Sequence, residues 1–237
     1  MKRIIALALI LLPATAAAQP TGSPQSLPLV VDLKKATVGS WADYGMTFGD
    51  VQMKSRWALV ARDASSTTLE MSMQGGMAVQ MGGKITVKMV LDPDPIGAAK
   101  PVKEMVMQVG DGDPMQAPSD VPAQKFQKPD VKTLVGRETI KVEAGSFKAT
   151  HYRDHTPVGT VDVWVSEEVP PLGLIKVVTT PEPKSGKANQ PPIPPATMEL
   201  ARTGTGAKPT ITKPAKPFDA AQMMGGAPPA GAGKKRK

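Results

Sequence analysis

His151 and His155 are the only histidines in this 237-residue chain, and Asp154 stands between them. On a helix, residues four apart lie one turn from each other and could share a metal ion. On a strand they share a face but sit about 13 Å apart, too far for one ion that holds each ligand at about 2 Å. The surrounding residues read as a strand running into a loop at Pro157, so surface or partly buried histidines are expected there, and no metal centre. Nucleophilic hydrolysis needs a base beside the nucleophile, and no G-x-S-x-G is present. The carboxylate pairs Glu167 with Glu168, Asp92 with Asp94 and Asp111 with Asp113 stand beside Pro or Gly at strand ends. Asp in such places turns the chain through its own backbone. Glycosidase chemistry would need an aromatic-lined cleft, and aromatics make up only 4% of the chain. Asp111-Gly112-Asp113 falls short of a calcium loop. Cysteine is absent, which removes thiol catalysis, thiolate metal sites and acylated anchors. The expectation is a protein that is not an enzyme and carries no cofactor.

Methionine is the residue type left with chemistry to offer, and there are 14. Met71 with Met73, and Met105 with Met107, are i, i+2 pairs that face one way on a strand, about 6.6 Å apart. Met77 and Met81 follow the first pair. Such residues can be ordinary core filler or the lining of an adaptable apolar pocket. As soft thioethers they can also hold Cu(I). All three readings stay open.

The elements that must position these residues are strands. Period-two alternation recurs through Val51–Arg62 (Trp57, Leu59, Ala61), Thr67–Gln74 (Leu69, Met71, Met73), Lys84–Leu91 (Ile85, Val87, Met89, Leu91) and Lys103–Val109. It is the mark of a strand with one face on a core. Leu29–Leu33 and Val38–Phe48 precede them. A second group follows: Gly136–Val142, Phe147–Arg153, Val158–Ser166, Leu172–Thr180 and Ala196–Thr203. Gly145 sets a tight hairpin between the first two of these. About eleven strands joined by near-sequential hairpins predict an all-β fold: one large curved antiparallel sheet or an incomplete β-barrel, with a β-sandwich as the alternative. The domain spans 29–206, with Pro-rich loops at 111–130 and 180–195.

Flanking segments have their own signatures. Lys2 and Arg3, an apolar run from Ile4 to Leu12, Pro13 and then Ala16-Ala17-Ala18 predict a Sec-type signal peptide over 1–18, cleaved after Ala18. The run is too short to span a bilayer, which takes roughly 20 residues. The mature chain is therefore expected in the periplasm or the medium, with no transmembrane segment. Residues 19–28 read as a flexible lead-in and 207–237 as a disordered Pro/Ala/Gly/Lys tail. The formal charge is +8. Two of those charges belong to Lys2 and Arg3, and four are Lys234, Lys235, Arg236 and Lys237. No basic, aromatic-interleaved patch remains for nucleic acid, whereas the terminal quartet suits weak contact with an anionic envelope surface.

The second half carries a motif order: Gly136-Arg137-Glu138, then Val142-Glu143-Ala144-Gly145-Ser146-Phe147-Lys148-Ala149, then Trp164-Val165-Ser166, then Val169-Pro170-Pro171-Leu172-Gly173-Leu174-Ile175-Lys176. Over residues 135–205 it resembles a group of uncharacterised exported bacterial proteins whose sheets look like the LolA/LppX half-barrel. That resemblance implies an apolar concave face able to hold acyl chains, and it implies no catalytic residues. The function expected first is binding of an apolar ligand, such as an acyl chain or a lipidated partner, along Trp57, Leu59, Leu69, Met71, Met73, Val87, Met89, Met105 and Met107. A structural or envelope-interaction module without a small ligand is the alternative, and Met-based Cu(I) handling the third reading.

Overall fold

The computed structural model describes residues 26–80, 82–117, 125–156, 159–182 and 194–218. The expected signal peptide, most of the lead-in, the centres of the two Pro-rich loops and the chain from 219 lie outside them. Among the described residues are thirteen strands: β1 (Ser26–Pro28), β2 (Trp41–Phe48), β3 (Val51–Arg62), β4 (Thr67–Gly75), β5 (Ile85–Leu91), β6 (Val102–Val109), β7 (Met115–Gln116), β8 (Lys125–Gln127), β9 (Leu134–Val142), β10 (Gly145–Thr156), β11 (Gly159–Val165), β12 (Leu174–Pro181) and β13 (Ala196–Gly204). One helical turn, α1 (Met77–Gln80), follows β4.

Eleven of the strands form a single sheet in the order β7-β6-β5-β4-β3-β2-β13-β12-β11-β10-β9, and β1 pairs with β8 in a separate two-stranded sheet. Every pairing in the large sheet is antiparallel. The sheet is open, with β7 and β9 at its ends. It consists of two hairpin runs, β2 to β7 and β9 to β13, joined where β13 meets β2. Bulges at Leu59/Ala61, Trp164/Val165 and Leu200/Arg202 bend it, because the extra residue locally adds twist. The β9–β10 hairpin curls back far enough for Ala144 N–H to donate to the Leu200 carbonyl at 3.3 Å.

Residues directly opposite across an antiparallel ladder share a face, so the register reads the faces directly. Leu59–Leu69–Met89–Met105 form one cross-strand row, and Ala42–Trp57–Met71–Val87–Met107 the next. These rows belong to the main apolar cluster. Over them lies the small β1–β8 sheet. Leu27, Leu29, Leu33 and Phe126 are buried in the same cluster. Leu29 N–H donates to the Gln127 carbonyl at 3.0 Å and Val30 N–H to that of Leu172 at 3.1 Å. Arg62, at the end of β3, donates through one Nη1 to the carbonyls of Leu33 (2.8 Å) and Ala36 (2.7 Å). Leu29–Leu33, expected as a strand of the sheet, is instead part of this cap, and the lead-in ends in β1. The cap contributes apolar side chains to the core through Leu27, Leu29, Leu33 and Phe126. Gly173 makes room for it: at φ +83° its missing Cβ would lie 2.1 Å from Val30 Cγ2.

The opposite face has a cover of its own, in a segment expected to be disordered from residue 207. Trp41–Ala58–Glu70–Lys88–Val106–Gln116 is a row on that face. The chain after β13 runs along this row, perpendicular to the strands. Trp41 Nε1 donates to the Thr205 carbonyl at 3.1 Å and Ala207 N–H to that of Gly39 at 2.9 Å. The buried Glu70 carboxyl accepts the backbone N–H of Thr210 (2.7 Å) and of Ile211 (3.0 Å), and Ile211 itself is buried. Further along, Lys216 exchanges backbone hydrogen bonds of 2.8 Å with Gln116 and Pro114 and pairs with Asp113. Composition pointed to disorder, but two backbone donors fixed on one carboxyl and a single buried Ile order this strap. Leaving those donors unpaired in a buried place costs about 1–3 kcal/mol. Glu70→Ala should therefore lower unfolding stability by about 2 kcal/mol and speed hydrogen exchange at the Thr210 and Ile211 amides by about tenfold or more. Hydrogen–deuterium exchange followed by mass spectrometry reads this; unchanged exchange at Thr210 and Ile211 would show that Glu70 does not hold the strap.

Candidate functional site

The face proposed from alternation is assembled in full. Trp57, Leu59, Leu69, Met71, Met73, Val87, Met89, Met105 and Met107 all lie on the cap side of the sheet, in adjacent positions on β3, β4, β5 and β6. Seven of them are buried, Leu59 and Leu69 completely; Met73 and Met105 are half-buried at its margin. The seam between sheet and cap is apolar on both sides: Leu27, Leu29, Leu33 and Phe126 above, Trp57, Leu59, Leu69 and the methionines below. Tyr44 sits in the same layer, its hydroxyl donating to the Leu174 carbonyl at 3.0 Å, and burial pushes the phenol pKa up.

The charged residues take other roles. The Asp92–Asp94 pair turns the chain, with Asp94 N–H donating to Asp92 Oδ1 at 2.9 Å, and Asp113 holds Lys216. On the strap side, Asp43 binds Arg56 through both oxygens (2.6 and 2.9 Å) and Arg202 at 3.0 Å, while the Arg56 guanidinium lies 4.3 Å above the Trp41 ring. Among the described residues no three His, Asp or Glu side chains gather as a metal site, and no helix is long and apolar enough to cross a membrane.

A polar cluster missed by residue-level reading sits on β9, β10 and β11. His151 and His155 do share one face of β10, but His151 is buried and turns to its neighbours. Its Nε2 bonds Asp162 Oδ1 at 2.6 Å, and its Nδ1 lies 3.3 Å from Glu138 Oε1. The ring stacks on Trp164 with centroids 4.2 Å apart, and Trp164 Nε1 donates to the same Glu138 oxygen at 2.6 Å. Arg153 Nε donates to Asp162 Oδ1 at 2.7 Å. The signal for this cluster lay in the pairing register, which sets His151 opposite Trp164 and Arg153 opposite Asp162. His155 Nδ1 lies 3.3 Å from Thr160 Oγ1.

The cluster ties the edge strand β9 to the sheet through side chains. Burial raises the Asp162 carboxyl, but the hydrogen bonds from Arg153 and His151 outweigh it and hold the group below its ordinary range. A depressed carboxyl contributes stability above its unfolded value, about 3.9, and loses it as pH falls through the folded value. Asp162→Asn should therefore destabilise the protein at pH 7 by about 2 kcal/mol, and the gap to wild type should close below about pH 4. Urea titrations from pH 2 to pH 7 check both parts, and a gap independent of pH would remove the electrostatic account.

No family model and no curated protein matches the chain. Two solved structures are similar in outline. One is BF2203 of Bacteroides fragilis, inferred to be exported and to have a YmcC-like fold. It is 13% identical, with 76% of this chain and 99% of that one covered and a TM-score of 0.35. The other is the hypothetical protein CT021 of Chlamydia trachomatis, also 13% identical, with 79% and 96% covered and a TM-score of 0.39.

Proposed function

We propose that this chain is an exported, non-enzymatic carrier that takes an apolar ligand, an acyl chain or a lipidated partner, between the sheet and the β1–β8 cap. The observation that carries the reading is the seam itself. A continuous apolar face rich in methionine is covered by two three-residue strands and a short run of chain. Among the described residues, Val30 N–H bonds the Leu172 carbonyl and Arg62 bonds the carbonyls of Leu33 and Ala36 to tie the cap down. Lifting the cap exposes apolar surface at about 25 cal/mol per Å², and an acyl chain sliding into the seam buries an equivalent area. Unbranched methionine side chains re-form around a guest of varying shape. The LolA/LppX-like motif order over 135–205 and the signal-like residues 1–18 support the same reading. The quartet Lys234, Lys235, Arg236 and Lys237 would add a weak attraction to anionic envelope lipid.

Completeness of burial favours a second reading, in which the face is plain core and the protein is an envelope-interaction module. Native mass spectrometry of protein purified from its own host's exported fraction, followed by organic extraction, separates the two. A lipid mass in stoichiometric amount is expected, and delipidated protein should take up offered fatty acid or phospholipid. A clean apo mass that stays unchanged with those lipids overturns the carrier reading in favour of the module.

A further inference from the structure

The register places three methionines side by side where sequence spacing had shown only pairs. Met198 on β13 stands opposite Met46 on β2, and Met46 stands opposite Met53 on β3. Directly opposed residues of antiparallel strands lie about 4.5–5.5 Å apart and share a face. The three thioethers therefore start from adjacent positions on the cap side, with Met46 at the centre. Met46 and Met198 are buried, and Met53 is half-buried where β3 leaves the β2–β3 turn. Met53 lies against a glycine pair: a Cβ on Gly76 would sit 2.8 Å from Met53 Sδ and 2.7 Å from its Cγ. A side chain there would push the sulfur away.

A second observation points to the same place. Ser55, two residues along β3 on the same face, is 3% exposed, and its hydroxyl has no hydrogen-bond partner. A buried, unpaired hydroxyl costs free energy unless something accepts or donates to it. Ordinary core packing needs no polar group here. Three neutral, polarisable sulfurs and one hydroxyl oxygen form a donor set that suits a soft monovalent cation and discriminates against Mg²⁺ and Ca²⁺, which take hard oxygen ligands. With no cysteine in the chain, thioethers are its only sulfur donors.

We infer that Met46, Met53 and Met198, with Ser55 beside them, form a binding site for a soft monovalent cation of the Cu(I) or Ag(I) class. The site lies in a different cross-strand row from Trp57, Met71 and Met107, although Ser55 stands opposite Met73 on the same face, and it is tested on delipidated protein. The probes are Ag(I) and Cu(I) offered anaerobically, each read by native mass spectrometry and by competition with a chromogenic Cu(I) chelator. One ion per chain is expected, with no binding of Mg²⁺ or Ca²⁺. Met46→Leu, Met53→Leu and Met198→Leu should each weaken binding by about tenfold or more, while Met115→Leu on the edge strand β7 stays within about twofold. Leu conserves volume and shape well enough for the fold to be kept, and Met53, the least buried, tests the site even if a deeper variant misfolds. On wild-type protein, methionine methyl NMR should show the shifts on Ag(I) addition concentrated at Met46, Met53 and Met198. Absence of stoichiometric binding, equal loss in the Met115 control, or shifts spread over all methionines would each overturn the assignment.

Discussion

Everything in this molecule answers to one constraint: a single broad sheet has two faces, and both carry side chains that water must not reach. Among the described residues, the other sheet is the two-stranded β1–β8 pair, too small to sandwich it. The rows centred on Trp57 and Leu59 would be open to solvent on one side, and the row holding Ala58, Glu70 and Val106 on the other. The chain solves both problems with pieces too small to fold alone. A two-stranded cap covers the first side by apolar contact, and a strap without regular structure covers the second by hydrogen bonds to a buried carboxyl. The cores of the two faces differ accordingly: one is thick and aliphatic, the other thin and pinned at a few polar points.

This division explains what could be read from the sequence. Alternation in segments such as Ile85–Leu91 reports a face, and faces are what a large antiparallel sheet is made of. The open all-β architecture and the shared face of the nine apolar residues followed, whereas the strand list did not: Leu29–Leu33 belongs to the cap, and β1, β7 and β8 had no signal. The covers gave no such signal. Leu27, Phe126 and Ile211 are single buried residues in stretches rich in proline and lysine, and their burial depends on pairing across long separations. β1 pairs with β8 and Glu70 with Ile211, relations that no local period encodes. The polar cluster at His151 was hidden for a related reason. Its members look unremarkable one strand at a time, and only the register of β9, β10 and β11 brings Glu138, His151, Asp162 and Trp164 together.

Methionine shows how register changes the meaning of a residue. Read along the chain, the informative pairs were Met71 with Met73 and Met105 with Met107. Read across the strands, the longest unbroken methionine run is Met198–Met46–Met53, built from three strands and two halves of the sheet. Chemistry that needs converging groups is a property of rows, whereas sequence inspection reports columns. The buried Ser55 hydroxyl becomes informative only once that row is known.

The seam between β2 and β13 has a consequence for how such a chain is made. Each half of the sheet is a run of neighbouring hairpins, β2 to β7 and β9 to β13, in which every strand meets one it has just followed. Such local pairings form early, while contacts between distant segments pay a larger loop-closure cost and come late. The joint at the centre of the sheet unites Trp41–Phe48 with Ala196–Gly204, so it waits until nearly the whole domain has emerged. The strap can settle only after that joint exists. Vectorial synthesis would thus deliver two unsealed half-sheets first, each with an exposed edge, and stability would arrive in one late step when the two ends of the domain meet at its middle.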